Sequence, residues 1–381
     1  MSLNLSKRTF VAATAALLLG SLNAAQAQQA TGEPIKIGAV LSVTGAAAGL
    51  GVLERDVLGM AEKLLNAKGG VKGRPIQIII RDDTTNPDTA LSQANDLIFG
   101  QKVIALLGPT ISATTVAVGG VTHRNNIPQF SYAGIGPAVE FERKCVFHMP
   151  IGLELRGHAL LTYAREIGAK RVGILHDAGF GNIIQGHMRK VADKYGVELV
   201  AVEKFEFGAT DTTTQAAKVK AVSPDAVVII TASATPFRDV RRLQMNQPII
   251  ADLASSTYEY VNAMGPAADN IIFPEFVIGE DPLPHQKDFV AMYQKEFNRL
   301  PKFIEAFTWD SLVLLTDVLA KVGPDAGGEK ICAAIREKPY AGVFATYDFS
   351  APDMNGVTMP SFVFAKLVNG KYTRLPFRVK Q

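Results

Sequence analysis

The sequence predicts an α/β protein built as two doubly wound parallel-sheet lobes. Three observations lead there. Apolar runs of strand length alternate with helical stretches and short loops from residue 35 to 134. A second series of the same plan begins after Cys145. The chain has 381 residues, more than one core ordinarily organises, so two domains are the default.

Taken in order, Ile35 to Val43 reads as a first strand, and Thr44 to Gly49 as a loop of small residues. The helix that follows carries Leu53, Val57, Met60, Ala61, Leu64 and Leu65 on one face and stops at Lys68-Gly69-Gly70. Ile76 to Ile80 is strand two. Pro87 opens a helix through about Phe99. Val103 to Leu107 reads as a buried strand, broken by Gly108-Pro109. A small-residue helix then runs to about Arg124, Ile127 to Phe130 begins a strand, and a short helix starts near Pro137. In the second series, helices are expected at 155–167, from Phe180 to about Tyr195, and at 212–222, 236–245 and 258–264. Strands are expected at 171–176, 197–203, 226–231, 248–251 and 271–273. Helices at 285–299, 304–321 and 328–337 follow a proline-rich link. Asn369-Gly370 between apolar runs predicts a hairpin of 361–368 with 371–377.

The first 27 residues read as an export signal rather than as fold. Lys7-Arg8 precede an apolar run from Val11 to Gly20, and Ala25-Gln26-Ala27 gives a small-residue cleavage site. The run is about half a bilayer span, and no cysteine is near for lipid attachment, so a free, periplasmic protein is expected. Ser6 to Phe10 also resembles a twin-arginine signal with one lysine substituted, so either export route fits. The net charge of +3 is too small to imply nucleic acid. Removing one lysine and one arginine leaves 37 bases against 36 acids, a charge of +1. Cys145 and Cys332 could close a disulfide in an oxidising compartment, but sequence does not show whether they meet.

The stretch Leu106 to Gly134 is the most informative. Strand, hydroxyl-rich turn (Thr110, Ser112, Thr114, Thr115) and helix aim free N–H groups and a positive helix end at an anion. A second copy follows at Ser131 to Gly134. Two such turns on neighbouring strands make a cradle for a small carboxylate. Ser112 could also simply cap its helix.

Other constellations carry less. Gly49-x-Gly51 opens a helix, but Glu54 occupies the third glycine position of a dinucleotide motif and would repel a pyrophosphate. The six histidines include no i,i+4 pair, so no metal is assigned, and no cofactor is expected. Asp82-Asp83 face opposite sides of a strand end and suit capping or packing rather than acid catalysis. No nucleophile with a base is visible, which argues against an enzyme.

Several segments resemble the periplasmic leucine/isoleucine/valine-binding proteins, the type I periplasmic binding fold. They are Ile35 to Gly38, Thr44-Gly45, the run Leu64 to Ile76 (LLNAKGGVKGRPI), Asp82-Asp83, and Gly108-Pro109 with its hydroxyls. The resemblance covers essentially the whole mature chain. It implies a solute receptor of an ABC importer: a monomer whose lobes, joined by three hinge crossovers, close on a small molecule and engage an inner-membrane permease with its ATPase. It implies lobe one at 31–148 plus 280–344 and lobe two at 149–279 plus 345–381. The hinges would lie near 147–151, 273–278 and 343–347.

The resemblance also implies a pocket. Ser112 aligns with the hydroxyl that holds a ligand carboxylate, and Ala133 with the backbone site on the next turn. Ile135 stands where the family has a threonine, and Leu253 where amino-acid binders place an acid against the ammonium. Phe180 keeps a second-lobe aromatic, and Leu50 replaces a first-lobe aromatic. An unpaired buried ammonium is penalised by roughly 3–5 kcal/mol. The expected ligand is therefore a small hydrophobic carboxylate, an aromatic acid ahead of a short aliphatic or 2-oxo acid. Asp252, one residue from Leu253, could restore an ammonium partner. An amino-acid receptor of the same fold, a sensor subunit and a secreted enzyme are the alternatives.

Overall fold

The computed structural model describes residues 30–134, 143–350 and 355–378. The first sheet is wholly parallel and has the order β2-β1-β3-β4-β5. Its strands are β1 Ile35–Leu41, β2 Ile76–Asp82, β3 Leu106–Leu107, β4 Gln129–Ser131 and β5 Val146–His148. Helices α1 Ala48–Ala67, α2 Pro87–Asn95 and α3 Ser112–Arg124 provide the crossovers. Right-handed βαβ connections leave the carboxyl ends of β1, β3 and β4 on one edge, facing the gap between the lobes.

The second sheet has seven strands, β14-β13-β10-β9-β8-β6-β7. Its parallel part comprises β6 Arg171–Asp177, β7 Glu198–Phe205, β8 Ala226–Ile230, β9 Ile249–Ala251 and β10 Ile272–Glu275. Its helices are α4 Leu153–Glu166, α5 Phe180–Val191, α6 Thr213–Ala221, α7 Thr235–Arg242 and α8 Tyr258–Met264. Three short late elements, α9 Lys287–Phe297, β11 Tyr340–Ala341 and β12 Thr346–Tyr347, lie in the connections between the lobes. The expected hairpin is present as β13 Val363–Val368 and β14 Lys371–Arg378, and β13 pairs antiparallel with β10. Asn369 (φ 50°) and Gly370 (φ 73°) both adopt the positive φ that a tight two-residue turn of this hand requires. The hairpin was legible from its turn; its place in lobe two was implied only by the resemblance, because strand pairing across 88 residues (Glu275 with Val363) leaves no local signal.

Two elements differ from expectation. The run 103–107 keeps sheet bonds along its length, such as Ile104 N–H to the Lys36 carbonyl, yet only Leu106 and Leu107 pair regularly. The helix from Pro87 is α-helical to Asn95 and then widens into a π turn, Asp96–Gly100. The short helix expected near Pro137, Ile135 and the export segment 1–27 lie outside the described residues.

The chain passes between the sheets three times: after His148, after Glu275, and between α11 (Gly328–Ile335) and β13. Helix α10, Phe303–Val322, returns to pack on α1 beside the first sheet. Cys145 and Cys332 form a disulfide with Cα atoms 5.6 Å apart, fixing α11 to the start of β5. Among the described residues no helix is long and apolar enough to cross a membrane.

Candidate ligand-binding site

Gly108 turns the chain at the end of β3. Its φ is +85°, and a Cβ would lie 2.3 Å from the Val40 carbonyl oxygen, so glycine is required. The turn delivers Thr110 and the start of α3 to the gap between the lobes. Ile111, extended, is the N-cap and makes no side-chain cap bond. Ser112 is therefore the first helical residue, not a cap. Its hydroxyl donates to the Gly134 carbonyl at 2.7 Å, joining the two turns that the sequence placed side by side. Thr115 N–H, bonded to the Ile111 carbonyl, is the first amide of α3 to bond back, which leaves the positive end of the helix open to an anion. Ala133 N–H makes a long 3.2 Å bond to Ser131 Oγ, and His148 Nδ1 lies 2.9 Å from the Ala133 carbonyl oxygen.

These groups open into a cavity between the lobes. Lobe one contributes Thr110, Ser112, Tyr132, Ala133 and Leu50, with Phe303, Ile304 and Phe307 from α10. Lobe two contributes Leu153, Arg156, Phe180, Phe207, Leu253 and Ala254. Five positions named from sequence, Leu50, Ser112, Ala133, Phe180 and Leu253, thus line one space. The aromatic wall from α10 was missed because it returns from 170 residues away.

Arg156 was also missed. On α4 it falls on the buried stripe with Leu153, Gly157 and Leu160, and a charge on such a stripe is the signal that could have found it. Its Nε donates to Asp252 Oδ2 at 2.9 Å and its Nη2 to Oδ1, and the guanidinium lies 4.9 Å from the Phe180 ring centre. Asp252 is wholly buried and also accepts Ala254 N–H at 2.9 Å, capping a short 3-10 turn. It is turned into the lobe and charge-matched, while Leu253 lines the cavity. No acidic side chain is among the described residues that line it.

The G-x-G segment has a packing reason. A Cβ on Gly51 would stand 2.2 Å from the Ser42 carbonyl oxygen. Glu54, beneath the cavity, is fully buried, and burial pushes its carboxyl up to about 8. It accepts the Thr110 hydroxyl at 2.5 Å, and Thr110 in turn accepts Ser42 N–H at 2.9 Å. Asp82 and Asp83 tie loops together: Asp82 takes Val43, Thr44 and Thr84 N–H groups, Asp83 the Ser42 hydroxyl and Thr85 N–H. His158 and His187 meet at 3.0 Å between α4 and α5, away from the cavity. Trp309 packs on Phe289, also away from it.

The lobes are closed over this space. Arg299 bonds Asp56 of α1 at 3.1 Å and Glu259 of α8 at 2.6 Å, and Gly49 sits against the Tyr260 ring. Two α/β lobes, linked by three passages and shut over an apolar pocket with an anion-facing rim, are the geometry of a solute receptor. The periplasmic binding protein family matches residues 34–371. The chain belongs to that family.

As a periplasmic binding protein it has relatives along most of its length. It is 21% identical to "Leu/Ile/Val-binding protein homolog 7" of Brucella suis over 348 residues, covering 86% of this chain and 85% of that one. It is 27% identical to the Leu/Ile/Val-binding protein of Escherichia coli K12 over 218 residues, covering 56% and 58%. Among solved structures, a solute-binding protein of Rhodopseudomonas palustris in complex with benzoate superposes with TM-score 0.83 at 20% identity, covering 92% of this chain and 98% of that one. A branched-chain amino acid transporter substrate-binding protein of Streptococcus pneumoniae in complex with isoleucine gives 0.82 at 23%, covering 91% and 100%.

Proposed function

We propose that this periplasmic binding protein captures a small hydrophobic carboxylate, an aromatic acid above others, for an inner-membrane ABC permease and its ATPase. The observation that carries the reading is the asymmetry of the cavity. One rim offers Ser112 and the positive end of α3, whereas the described walls offer no acid to a cation, because Asp252 is held by Arg156. An α-amino acid would bury its ammonium against Leu253, a penalty of several kcal/mol. An aromatic ring instead meets Phe180, Phe207, Phe303 and Phe307. The fold accommodates both chemistries, since relatives of this shape are found with benzoate and with isoleucine; the side chains favour the first.

In this reading the carboxylate docks on lobe one, with the Ser112 hydroxyl turning from Gly134 to the ligand. Lobe two then closes over the apolar body, and the closed form is the one a permease would select.

A thermal-shift panel of branched-chain amino acids, 2-oxo acids, benzoates and phenylpropanoates tests it. A ligand at about 100 times its Kd adds about 2.7 kcal/mol of stability. Aromatic acids should stabilise and leucine should not. Strong stabilisation by leucine or valine with none by the aromatic acids defeats the proposal.

A further inference from the structure

Arg156 has more donors than its partner uses. Asp252 takes Nε–H and one Nη2–H. Of the five N–H groups of a guanidinium, three then remain, and the outer Nη1/Nη2 edge is a second fork for an oxygen acceptor. Among the described residues nothing takes them, and Arg156 lines the cavity on the lobe-two side, resting on Phe180. Its side chain is only 9% exposed, and Arg156 is among the residues that line the cavity. Donors left unpaired when a ligand expels water from such a site carry a desolvation penalty.

From this we infer that the ligand carries a second oxygen acceptor at the end remote from its carboxylate, and that Arg156 receives it. The inference rests on the aromatic-carboxylate reading and sharpens it. The carboxylate faces Ser112, the ring spans Leu50, Leu253 and Phe180, and a ring hydroxyl or carbonyl oxygen meets the free edge of Arg156. The acceptor is neutral rather than a second carboxylate. Asp252 already balances the guanidinium, and Asp177, also buried, is close enough to Asp252 to feel its charge. A second anion there would add to the charge of two buried acids against one cation.

Calorimetric titration of the full chain with two matched pairs tests this: benzoate against 4-hydroxybenzoate, and 3-phenylpropanoate against 3-(4-hydroxyphenyl)propanoate. In the wild type the hydroxylated member of at least one pair should bind about tenfold tighter, which is about 1.4 kcal/mol. The variant Arg156→Met/Asp252→Asn removes both charges together and avoids stranding one. In it the ratio should fall toward one. Arg156→Lys, which keeps the charge and loses the fork, should lower the ratio as well, and it serves if the double variant does not fold. Ratios near one for both pairs in the wild type, or a ratio that survives both variants, overturn the assignment while leaving the aromatic-carboxylate reading intact. Binding of none of the four acids, with leucine bound, overturns that reading instead.

Discussion

Lys302 Nζ lies 2.7 Å from Glu275 Oε1, and both side chains are wholly buried. Lys302 opens α10 beside the first sheet and Glu275 ends β10 of the second, so a buried ion pair spans the lobes at the second passage of the chain. The Nζ also sits 3.2 Å from the Tyr372 ring centre. The approach is a charge contact rather than an aligned hydrogen bond, and burial acts against both charges, lowering the lysine and raising the glutamate. Removing one partner strands the other, so Lys302→Met alone should lose about 3–5 kcal/mol in urea unfolding. Lys302→Met/Glu275→Gln should recover much of that loss. A double variant no more stable than the single would show that the pair is not the source of the effect.

Much of the fold was legible because strand and helix periods are local. β1, α1, β2, α3 and the Asn369-Gly370 hairpin fall within a few residues of their expected positions. The site was legible where a turn carries its own chemistry, as Ser112 and Ala133 do. Leu50, Phe180 and Leu253 reached the cavity only by resemblance to a family. Arg156 and Phe307 were not seen, since nothing near them in sequence announces that helices from different passages meet there. The Cys145–Cys332 pairing is of the same kind: two thiols 187 residues apart can be suspected but not joined on paper.

The Ser112 hydroxyl donates to the Gly134 carbonyl at 2.7 Å. A hydrogen bond to a charged group contributes about 1.5–3 kcal/mol, so Ser112→Ala should weaken binding of an aromatic carboxylate roughly ten- to a hundredfold. Unfolding free energy should change by only about 1 kcal/mol, the neutral bond to Gly134 being all that the free protein loses. Equal affinities in calorimetry would remove Ser112 from the site.

The disulfide ties α11 to β5 within lobe one and does not cross the cavity. Closing a loop of this length restricts the unfolded chain, and Cys145→Ala/Cys332→Ala should lose about 2–5 kcal/mol. Both half-cystines are buried, so alanine adds a small packing loss in the same direction. Ligand affinity of the folded variant should stay within a few fold. A large loss of affinity at unchanged stability would mean that the bridge positions the cleft, contrary to its place in the fold.

Glu54 makes stability depend on pH in a particular direction. Burial raises its carboxyl from 4.5 to about 8 in the folded protein, with Asp83 adding to the shift and the Thr110 bond opposing it. The native state therefore holds the proton more tightly than the unfolded state does. The stability linked to Glu54 is complete below about pH 4.5 and is lost as pH rises through about 8. Glu305 and Asp310, both raised to about 7, and Asp177, raised to about 6, act with the same sign but are spent earlier in the titration. Wild-type stability should thus decline from pH 5 to pH 9, and Glu54→Gln, which cannot ionise, should flatten the upper part of that decline. In urea unfolding the variant should gain on the wild type between pH 5 and about pH 8 and level off above it, whatever offset the substitution imposes at pH 5. Parallel profiles for the two proteins would mean that Glu54 is already ionised at neutral pH, and that a group outside this buried cluster compensates its charge.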